Sequence, residues 1–356
     1  MEYAAAGEDT EVVKALVKLA PGEGHLEVVD VEEPRCPDDR VKIEVAFCGV
    51  CGTDLHILHG TFRSYPPVIL GHECSGTVVE VGRNVRGVSV GERVTVLGAT
   101  AVTCGDCEYC RSGYFIFCGS RRGIGHGVNG AFTKYLVARP DQLYRIPQEF
   151  SLEEAALSEP FAAAVQAVTE ITQVQRGETV LVSGPGPIGL LCVKMLVAEG
   201  ASVIVAGTSE DADRLAAATT FGAARTVDVG ARAAADAVLE FTAGRGVDAA
   251  LECSGHQASV RACLESLRPL GRYTQVGICG REIPVPMDQI FYKQLTVRGS
   301  ITYTARTWSR MMQIYADGRV RLHDLVSRTL PLSEWRTAFD LCAERQALKV
   351  LLYPID

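Results

Sequence analysis

The spacing of apolar and polar residues changes character along the chain. From residue 12 to about residue 147, short β-branched runs such as VVKALVKL and VKIEVAF alternate with Gly, Pro and Asp breaks. This pattern predicts a β-rich or barrel-like unit. The segment SLEEAALSEPFAAAVQAVTEI then begins an apolar helical pattern. Ser151 followed three residues later by Glu154 predicts a capping box at the start of this helix.

Further along, buried strand patterns alternate with helical ones. The strand patterns are TVLVS (179–183), SVIVA (202–206), TVDV, VDAALECS and RYTQVG. Such alternation is typical of βαβ units with a parallel sheet. After about residue 299 it stops, and two predicted helices (308–317 and 333–344) precede a last strand, LKVLLYP. The predicted fold class is therefore α/β, with a doubly wound domain (161–299) inserted in a β-rich domain made of residues 1–160 and 300–356.

Composition limits the function classes. The chain has 356 residues, 47% of them hydrophobic, and a net charge of −8 without a basic stripe. We therefore expect about two domains and neither nucleic acid nor an anionic membrane as a partner. No apolar run is long enough to span a bilayer, and the segment MEYAAAGEDTEV does not resemble a signal peptide. Together with thirteen cysteines, these features predict a soluble cytoplasmic protein in a reducing compartment.

Four cysteines lie at the spacing C-x2-C-x2-C-x7-C inside a Gly-rich, polar stretch of residues 98–120. They are Cys104, Cys107, Cys110 and Cys118. Thiolates this close in sequence can converge on one tetrahedral ion, and thiolate is the ligand that zinc favours in closed structural sites. Two disulfides are the alternative, but nothing in the sequence indicates secretion. We therefore predict a structural zinc site.

A Gly-rich turn of the form G-x-G-x-x-G directly follows the predicted strand TVLVS and begins a helix. Its candidate cofactor-binding residues are Gly184, Gly186, Pro187, Ile188 and Gly189. In this context the glycines allow a tight turn, backbone approach to a pyrophosphate, and close packing of helix and strand. The turn therefore predicts a dinucleotide site.

The second half of this dinucleotide pattern is irregular. An acidic residue is expected at the end of the next strand, where it binds the ribose 2′-hydroxyl. That position is held by Gly207, and the following candidates are Thr208, Ser209, Glu210, Asp211 and Arg214. Loss of the acid would admit a 2′-phosphate that Arg214 could bind, whereas Glu210 or Asp211 could replace the missing carboxylate. Both NAD and NADP therefore stay open.

Two further segments carry possible metal ligands. CGVCGTDLH contains Cys51, Thr53 and His56, and GHE contains His72 and Glu73. A single Cys and a single His about twenty residues apart are more often structural than ligating. The adjacent His and Glu between strand-rich segments favour a metal site.

Taken in order, the segments CGVCGTDLH, GHECSGTVVEVG, the four-cysteine lobe, SEPFAAAVQAV and GPGPIG resemble the zinc-dependent medium-chain alcohol dehydrogenase family. The resemblance covers the chain from about residue 12 to its end. It implies a GroES-like catalytic domain, a Rossmann domain and an active site between them. It also implies two zinc ions per subunit, one catalytic and one structural, together with NAD or NADP, and a homotetramer or a homodimer.

Residue by residue, the resemblance places catalytic zinc on Cys51 and His72, with Glu159 of SEP as a third ligand and Glu73 as a close neighbour. Catalysis requires an open coordination position, so one glutamate should yield to water or substrate. The substrate hydroxyl would lose its proton through Thr53 toward His56, and hydride would pass to the nicotinamide.

The resemblance also implies residues beside the nicotinamide and the substrate. Those expected beside the nicotinamide are Val276, Gly277, Ile278, Ser300 and Ile301. Lys349 could reach a cofactor phosphate or be a solvated charge. The substrate candidates are Phe62, Tyr303 and Arg306, with Arg63 and Tyr65 also near the predicted pocket.

Carboxylate as the third ligand resembles the polyol and threonine dehydrogenase branches of the family. A secondary alcohol, in particular a polyol or sugar alcohol, is therefore the expected small-molecule substrate. Threonine, a simple secondary alcohol and a biosynthetic cyclitol are the alternatives, and a non-catalytic nucleotide-binding member is the alternative of another class.

Overall fold

Three β-sheets carry the fold in the part of the chain that the computed structural model describes, residues 11–355. The chain divides into two compact units. The first contains the described residues up to Glu159, Thr304–Asp317, and the chain from Arg321 onward. The second contains Pro160–Tyr303 and Gly318–Val320. The sequence-based boundaries were 160/161 and 299/300.

The first unit is rich in β-structure. Its strands are β1 (Val12–Lys18), β2 (Leu26–Glu32), β3 (Val41–Gly49), β4 (Val68–Ile69), β5 (Glu73–Val81), β6 (Arg93–Val96), β7 (Tyr135–Ala138), β8 (Leu143–Arg145), β15 (Val326–Pro331) and β16 (Lys349–Tyr353). One sheet has the order β2-β1-β4, and a larger one has the order β15-β16-β3-β5-β6-β8, with β7 also paired to β3. Strand β16, near the end of the sequence, therefore lies beside β3.

Five short helices and one longer one complete this unit. They are α1 (Gly52–Leu58), α2 (Glu108–Arg111), α3 (Leu152–Ala156), the N-terminal end of α4 (Ser158–Val165), α10 (Ala305–Ala316) and α11 (Trp335–Ala343). Phe132, Trp335 and Phe339 pack in its core with valine and leucine side chains of the strands.

The second unit is a parallel α/β domain. Its strands are β9 (Thr179–Ser183), β10 (Ser202–Gly207), β11 (Arg225–Asp228), β12 (Val247–Glu252), β13 (Leu267–Gln275) and β14 (Thr296–Gly299). They form one sheet in the order β11-β10-β9-β12-β13-β14, and every pairing is parallel. The helices are α5 (Pro187–Ala198), α6 (Ala212–Thr220), α7 (Ala234–Phe241), α8 (Gln257–Ser266) and α9 (Met287–Lys293). This is the strand order of a Rossmann domain.

The helix predicted to begin at Ser151 is interrupted. It forms α3 and α4 separated at Leu157, followed by a π-helical turn, Gln166–Ile171. Ser151 caps α3 by accepting a hydrogen bond from the Glu154 amide (3.1 Å). The prediction of the second capping-box hydrogen bond, from the Ser151 amide to the Glu154 carboxylate, is wrong. The buried Glu154 carboxylate binds the Arg321 side chain and the Leu322 amide instead. A guanidinium neutralises a buried carboxylate, which a single backbone amide cannot do.

Among residues 11–355, no helix is both long enough and apolar enough to cross a bilayer.

Candidate functional site

The four cysteines of the lobe converge. Their sulfur atoms all lie within 4.8 Å of one another, with Cys104 Sγ 3.6 Å from Cys118 Sγ and 3.9 Å from Cys110 Sγ. A disulfide requires about 2.05 Å, and all thirteen cysteines, which lie in the described part of the chain, are free thiols. Four sulfur donors around one point fit tetrahedral zinc.

The lobe has almost no hydrophobic core of its own. Within residues 103–120, all of which the structure describes, Cys110 and Cys118 are the buried residues. The aromatic side chains of Tyr109, Tyr114 and Phe117 are about half exposed, at 45%, 52% and 50%. The Cys104 amide donates to Cys118 Sγ at 3.4 Å, and this bond is the largest of several that lower the pKa of that thiol to about 7. The sulfur atoms are therefore both the ligand set and the centre of the lobe.

A second group of possible ligands contains Cys51, His72 and Glu73, whose donor atoms also lie within 4.8 Å of one another. Cys51 is the residue before α1, and His72 directly precedes β5. The antiparallel pairing of β3 with β5 places Gly49 opposite Glu73, which brings the two segments together. A thiolate, an imidazole and a carboxylate are the donors of zinc sites that keep a position open for substrate.

Buried charges surround this second group. Asp54 is fully buried, accepts a hydrogen bond from the Cys51 amide (2.9 Å), and has Oδ1 3.8 Å from His72 Nδ1. Lys349 is 4% exposed and donates to Glu73 Oε1 (2.7 Å) and to the Val50 carbonyl (2.8 Å). The prediction that Lys349 is a phosphate ligand or a solvated charge is therefore wrong. Both buried side chains interact with candidate metal ligands, and neither interaction was predicted from the sequence.

The electrostatics of the site favour a cation. Burial alone would lower the pKa of His72, but the neighbouring Asp54, Cys51 and Glu159 raise it well above its ordinary value. His72 Nδ1 and Asp54 Oδ1 are buried without a hydrogen-bond partner in the described residues. A positive ion bound by His72 would balance this negative charge, so the residues fit a zinc ion.

Glu159 is half-buried in the first turn of α4 and is not in the group of three donors within 4.8 Å. The Glu159 charge nevertheless contributes, after Asp54 and Cys51, to the raised pKa of His72. Glu73 is the carboxylate of the tighter group, and Lys349 binds it.

The two residues of the predicted proton path lie on α1. Thr53 Oγ1 is 3.7 Å from Cys51 Sγ. His56 is exposed one turn later, with Nδ1 3.1 Å from Thr61 Oγ1. The helix therefore leads from the candidate ligand Cys51 to an imidazole that is exposed to solvent.

The Gly-rich turn connects β9 to α5 as predicted. A Cβ at Gly189 would lie 2.0 Å from the Gly184 carbonyl oxygen, so only glycine fits there. A Cβ at Gly186 would meet nothing within 4 Å, and the open side of the turn can admit a phosphate. Pro187 is the first residue of α5 and Ile188 follows it, so the amide end of the helix faces the turn.

The presence of glycine at position 207 has a steric explanation. A Cβ at this position would lie 2.8 Å from Pro185 Cγ, so the proline ring of the turn occupies the space of the expected acidic side chain. Asp211 is 7% exposed and accepts hydrogen bonds from the Thr208 amide (3.0 Å) and hydroxyl (2.9 Å). Arg214, 9% exposed, has Nη1 3.8 Å from Asp211 Oδ1. Ser209 is exposed and donates to Asp228 (2.8 Å).

The predicted cofactor residues lie at one edge of the parallel sheet. Gly184 follows β9, Gly207 ends β10, Val276 follows β13 and Ser300 follows β14. Carboxyl ends of parallel strands form the dinucleotide edge of such a sheet. Beside them, Gly277 donates its amide to the Glu252 carbonyl (2.8 Å), and Ile278 and Ile301 are 78% and 55% exposed.

The predicted substrate residues have different environments. Phe62 is half-buried, with its ring edge-on to His126 at 5.4 Å between centroids. Tyr303 is buried (3% exposed) in the second unit. Arg306 is exposed in the first turn of α10. Phe62 and Arg306 lie in the first unit, and the Phe62 amide donates to the His56 carbonyl (3.2 Å) on the segment that follows Cys51.

Comparison with known proteins gives matching families for both parts of the chain. Residues 37–148 match the alcohol dehydrogenase GroES-like domain, and residues 187–317 match the zinc-binding dehydrogenase family. The solved structure of a zinc-binding dehydrogenase from Sinorhizobium meliloti bound to NADP is similar, with a TM-score of 0.88 and 31% identity. The similarity covers 97% of this chain and 100% of that one.

Curated relatives are similar over nearly the full length. A D-arabitol-phosphate dehydrogenase of Enterococcus avium is 36% identical (96% of this chain, 98% of the relative). A sorbitol dehydrogenase of Halalkalibacterium halodurans is 38% identical (97% and 100%). An L-threonine 3-dehydrogenase of Shewanella frigidimarina is 33% identical (96% and 99%). The chain belongs to the zinc-dependent medium-chain alcohol dehydrogenase family and is an NAD(P)-dependent alcohol dehydrogenase.

Proposed function

We propose that this enzyme oxidises a secondary hydroxyl of a polyol or sugar alcohol, using one catalytic zinc ion and NAD(P). The observation that carries the proposal is the group of Cys51, His72 and Glu73 donor atoms within 4.8 Å, backed by the buried Asp54 and Lys349. The sorbitol and arabitol-phosphate dehydrogenase relatives support a polyol as the substrate.

In this proposal Cys51 and His72 hold the ion, and Glu159 is the third protein ligand. The Lys349 ammonium neutralises Glu73, which would make that carboxylate the weaker ligand and give the substrate oxygen access to the ion. A zinc ion there supplies Lewis acidity, which favours loss of the proton from the substrate hydroxyl. The Asp54 carboxylate, with Oδ1 3.8 Å from His72 Nδ1, would add negative charge beside the ion.

Thr53 and His56 move the released proton. A hydroxyl both accepts and donates a hydrogen bond, so Thr53 can take the substrate proton beside Cys51. His56, exposed to solvent and in contact with Thr61, then passes it to water. A bound nicotinamide would supply the hydride acceptor, and the residues that would hold it follow the carboxyl ends of β13 and β14: Val276, Gly277, Ile278, Ser300 and Ile301.

In this proposal both NAD and NADP can bind at the carboxyl ends of the parallel strands. The end of β10 lacks the carboxylate that would repel a 2′-phosphate, because Pro185 excludes a side chain at Gly207. Thr208 and Ser209 are exposed there, and either can donate to a hydroxyl or a phosphate. Arg214 is the candidate cation for a 2′-phosphate.

The lobe holds the second zinc ion of a two-zinc subunit in this proposal, and the protein works as a homodimer or homotetramer in the cytoplasm. Strand β14 is exposed along its whole length at the edge of the sheet, and Phe291 and Tyr292 are 76% and 80% exposed. Unpaired edges and large exposed apolar side chains are typical of protein interfaces. Thirteen free thiols favour a reducing compartment.

A substrate screen with metal analysis tests the function. We expect absorbance at 340 nm to rise with polyols or their derivatives, in parallel assays with NAD and NADP, and about two zinc ions per subunit. L-threonine is the second candidate because a 33% identical relative acts on it, so it belongs in the same screen. Turnover of L-threonine or simple alcohols without turnover of any polyol would contradict the proposal.

A further inference from the structure

Two arginines lie against one tyrosine ring in the first unit. Arg122 Cζ is 4.1 Å from the centroid of the Tyr65 ring, and Arg63 Cζ is 4.9 Å from it. Arg63 is exposed, while Arg122 and Tyr65 are half-buried. We call these three residues the Arg–Tyr–Arg cluster. Stacking fixes a guanidinium plane while its edge donors stay available to a ligand.

The Arg–Tyr–Arg cluster is attached to the segments that carry both zinc-ligand candidates. On one side, the amides of Thr61 and Phe62 donate to the carbonyl of His56, on the helix that begins directly after Cys51. These bonds (2.8 and 3.2 Å) fix the start of the segment that contains Arg63 and Tyr65. The cluster is therefore placed by α1.

On the other side, the cluster is attached to the chain around His72. The Tyr65 amide donates to the His126 carbonyl at 2.9 Å. In the same loop, a Cβ at Gly125 would lie only 2.7 Å from the carbonyl oxygen of Gly71, the residue before His72. Arg122 is held by two backbone hydrogen bonds to Val102, each 3.0 Å. The loop that presents Arg122 therefore packs directly against the segment of the second ligand.

The charges of the cluster lack a protein counter-ion. Within the described residues, neither Arg63 nor Arg122 forms an ion pair with a carboxylate, and the Arg122 guanidinium donates to the carbonyl of Arg121 (2.9 Å). By contrast, Arg145 pairs with Glu92 and Arg268 with Asp248. In a chain with a net charge of −8, two arginines that share one tyrosine ring and have no carboxylate partner indicate an anionic ligand.

We propose that the Arg–Tyr–Arg cluster binds the phosphate group of the substrate, so that the enzyme acts on a sugar-alcohol phosphate in preference to the free sugar alcohol. This inference rests on the proposed function. A phosphate monoester carries close to two negative charges near neutral pH, and planar guanidinium groups match its oxygen atoms in pairs. A tyrosine hydroxyl adds one further donor. A carboxylate carries one charge, which two arginines would over-neutralise.

Paired substrates test this proposal. We would compare D-arabitol with D-arabitol phosphate, and sorbitol with sorbitol 6-phosphate, on the zinc-loaded enzyme. The expected result is that each phosphate ester has a kcat/KM at least about tenfold above its free polyol, mostly through a lower KM, because hydrogen bonds to charged groups contribute that much. Equal or better turnover of the free polyols would overturn the proposal.

The variant Arg122→Gln tests which arginines bind the phosphate group. We expect it to raise KM for the phosphate esters about tenfold or more while kcat/KM for the free polyols stays unchanged. Arg63→Gln should do the same to a smaller extent, because Arg63 is more exposed. Arg336→Gln is the matched control, since Arg336 is also exposed and stacks on Trp335 at 4.3 Å. An equal loss for esters and free polyols in Arg122→Gln would refute a phosphate subsite.

Calorimetry separates failure of this inference from failure of the proposed function. Titration of sorbitol 6-phosphate into the zinc-loaded parent and the Arg122→Gln variant measures binding without turnover. Weaker binding to Arg122→Gln supports the subsite even if the chemistry differs from that proposed. Equal binding to both proteins contradicts the subsite even if the enzyme oxidises polyols.

Discussion

The two groups of metal-ligand candidates differ in how the fold builds them. The lobe takes four sulfur atoms from one stretch of fifteen residues that has no other buried side chains. The second group combines Cys51, His72 and Glu73 from two segments, on a core of packed strands with the buried charges of Asp54 and Lys349 beside it. An ion in the lobe would hold the chain together. An ion in the second group would be held by a chain that is already folded.

This difference predicts opposite effects of ligand substitution. Cys51→Ser should lower kcat/KM by about 10³-fold or more, because the substrate oxygen loses Lewis-acid stabilisation worth several kcal/mol. The melting temperature should stay within a few degrees of the parent value. Steady-state kinetics and calorimetric melting check both parts. Cys36→Ser, a half-buried thiol outside both groups, is the matched control. Parent-like turnover in Cys51→Ser would contradict the assignment of the catalytic site.

The buried ion pair of Lys349 and Glu73 gives the next largest expected effect. Lys349→Met leaves Glu73 buried without its ammonium partner, which should lower the free energy of unfolding by about 3–5 kcal/mol. The double variant Glu73→Gln/Lys349→Met removes both charges and should recover most of this loss. Urea unfolding of the four proteins forms a double-mutant cycle. Strictly additive losses would show that the two side chains do not interact.

The sequence predicted more of the local features than of the distant contacts. The alternation from β9 to β13, the Gly-rich turn and the four cysteines each have a short-range signal, and the structure has the predicted elements there. Lys349 lies 276 residues from Glu73, and Arg321 lies 167 residues from Glu154. No periodicity or spacing pairs residues so far apart. The same reason explains why Arg122 escaped notice beside Tyr65, since the contact depends on how two loops pack.

A substitution in the lobe provides the converse of Cys51→Ser. Cys110→Ser should lower the zinc content from about two ions per subunit to about one, and the melting temperature by about 5–10 °C. The reason is that the lobe has no hydrophobic core to replace the metal. The protein that remains folded should keep most of its kcat/KM. Metal analysis and melting curves test this, and an unchanged melting temperature would mean that the lobe is stable without its ion.

A buried carboxylate in the second unit, which contains neither group, supplies the baseline for both groups. Burial would raise the pKa of Asp248, but hydrogen bonds from Arg245, the Thr179 amide and Arg268 lower it to about 2. A lowered pKa in the folded state means that the carboxylate stabilises the fold above about pH 4, and that this contribution disappears as the pH falls toward 2. Asp248→Asn should therefore lower the unfolding free energy by about 1–3 kcal/mol at pH 7. The difference between variant and parent should vanish near pH 2 and should not change when a chelator removes zinc. Urea unfolding of both proteins across this pH range, with and without chelator, measures it. If the difference in unfolding free energy between variant and parent depended on the chelator, the stability of the second unit would be coupled to the proposed metal sites. That result would contradict the distinction between a metal that maintains structure and one that serves catalysis.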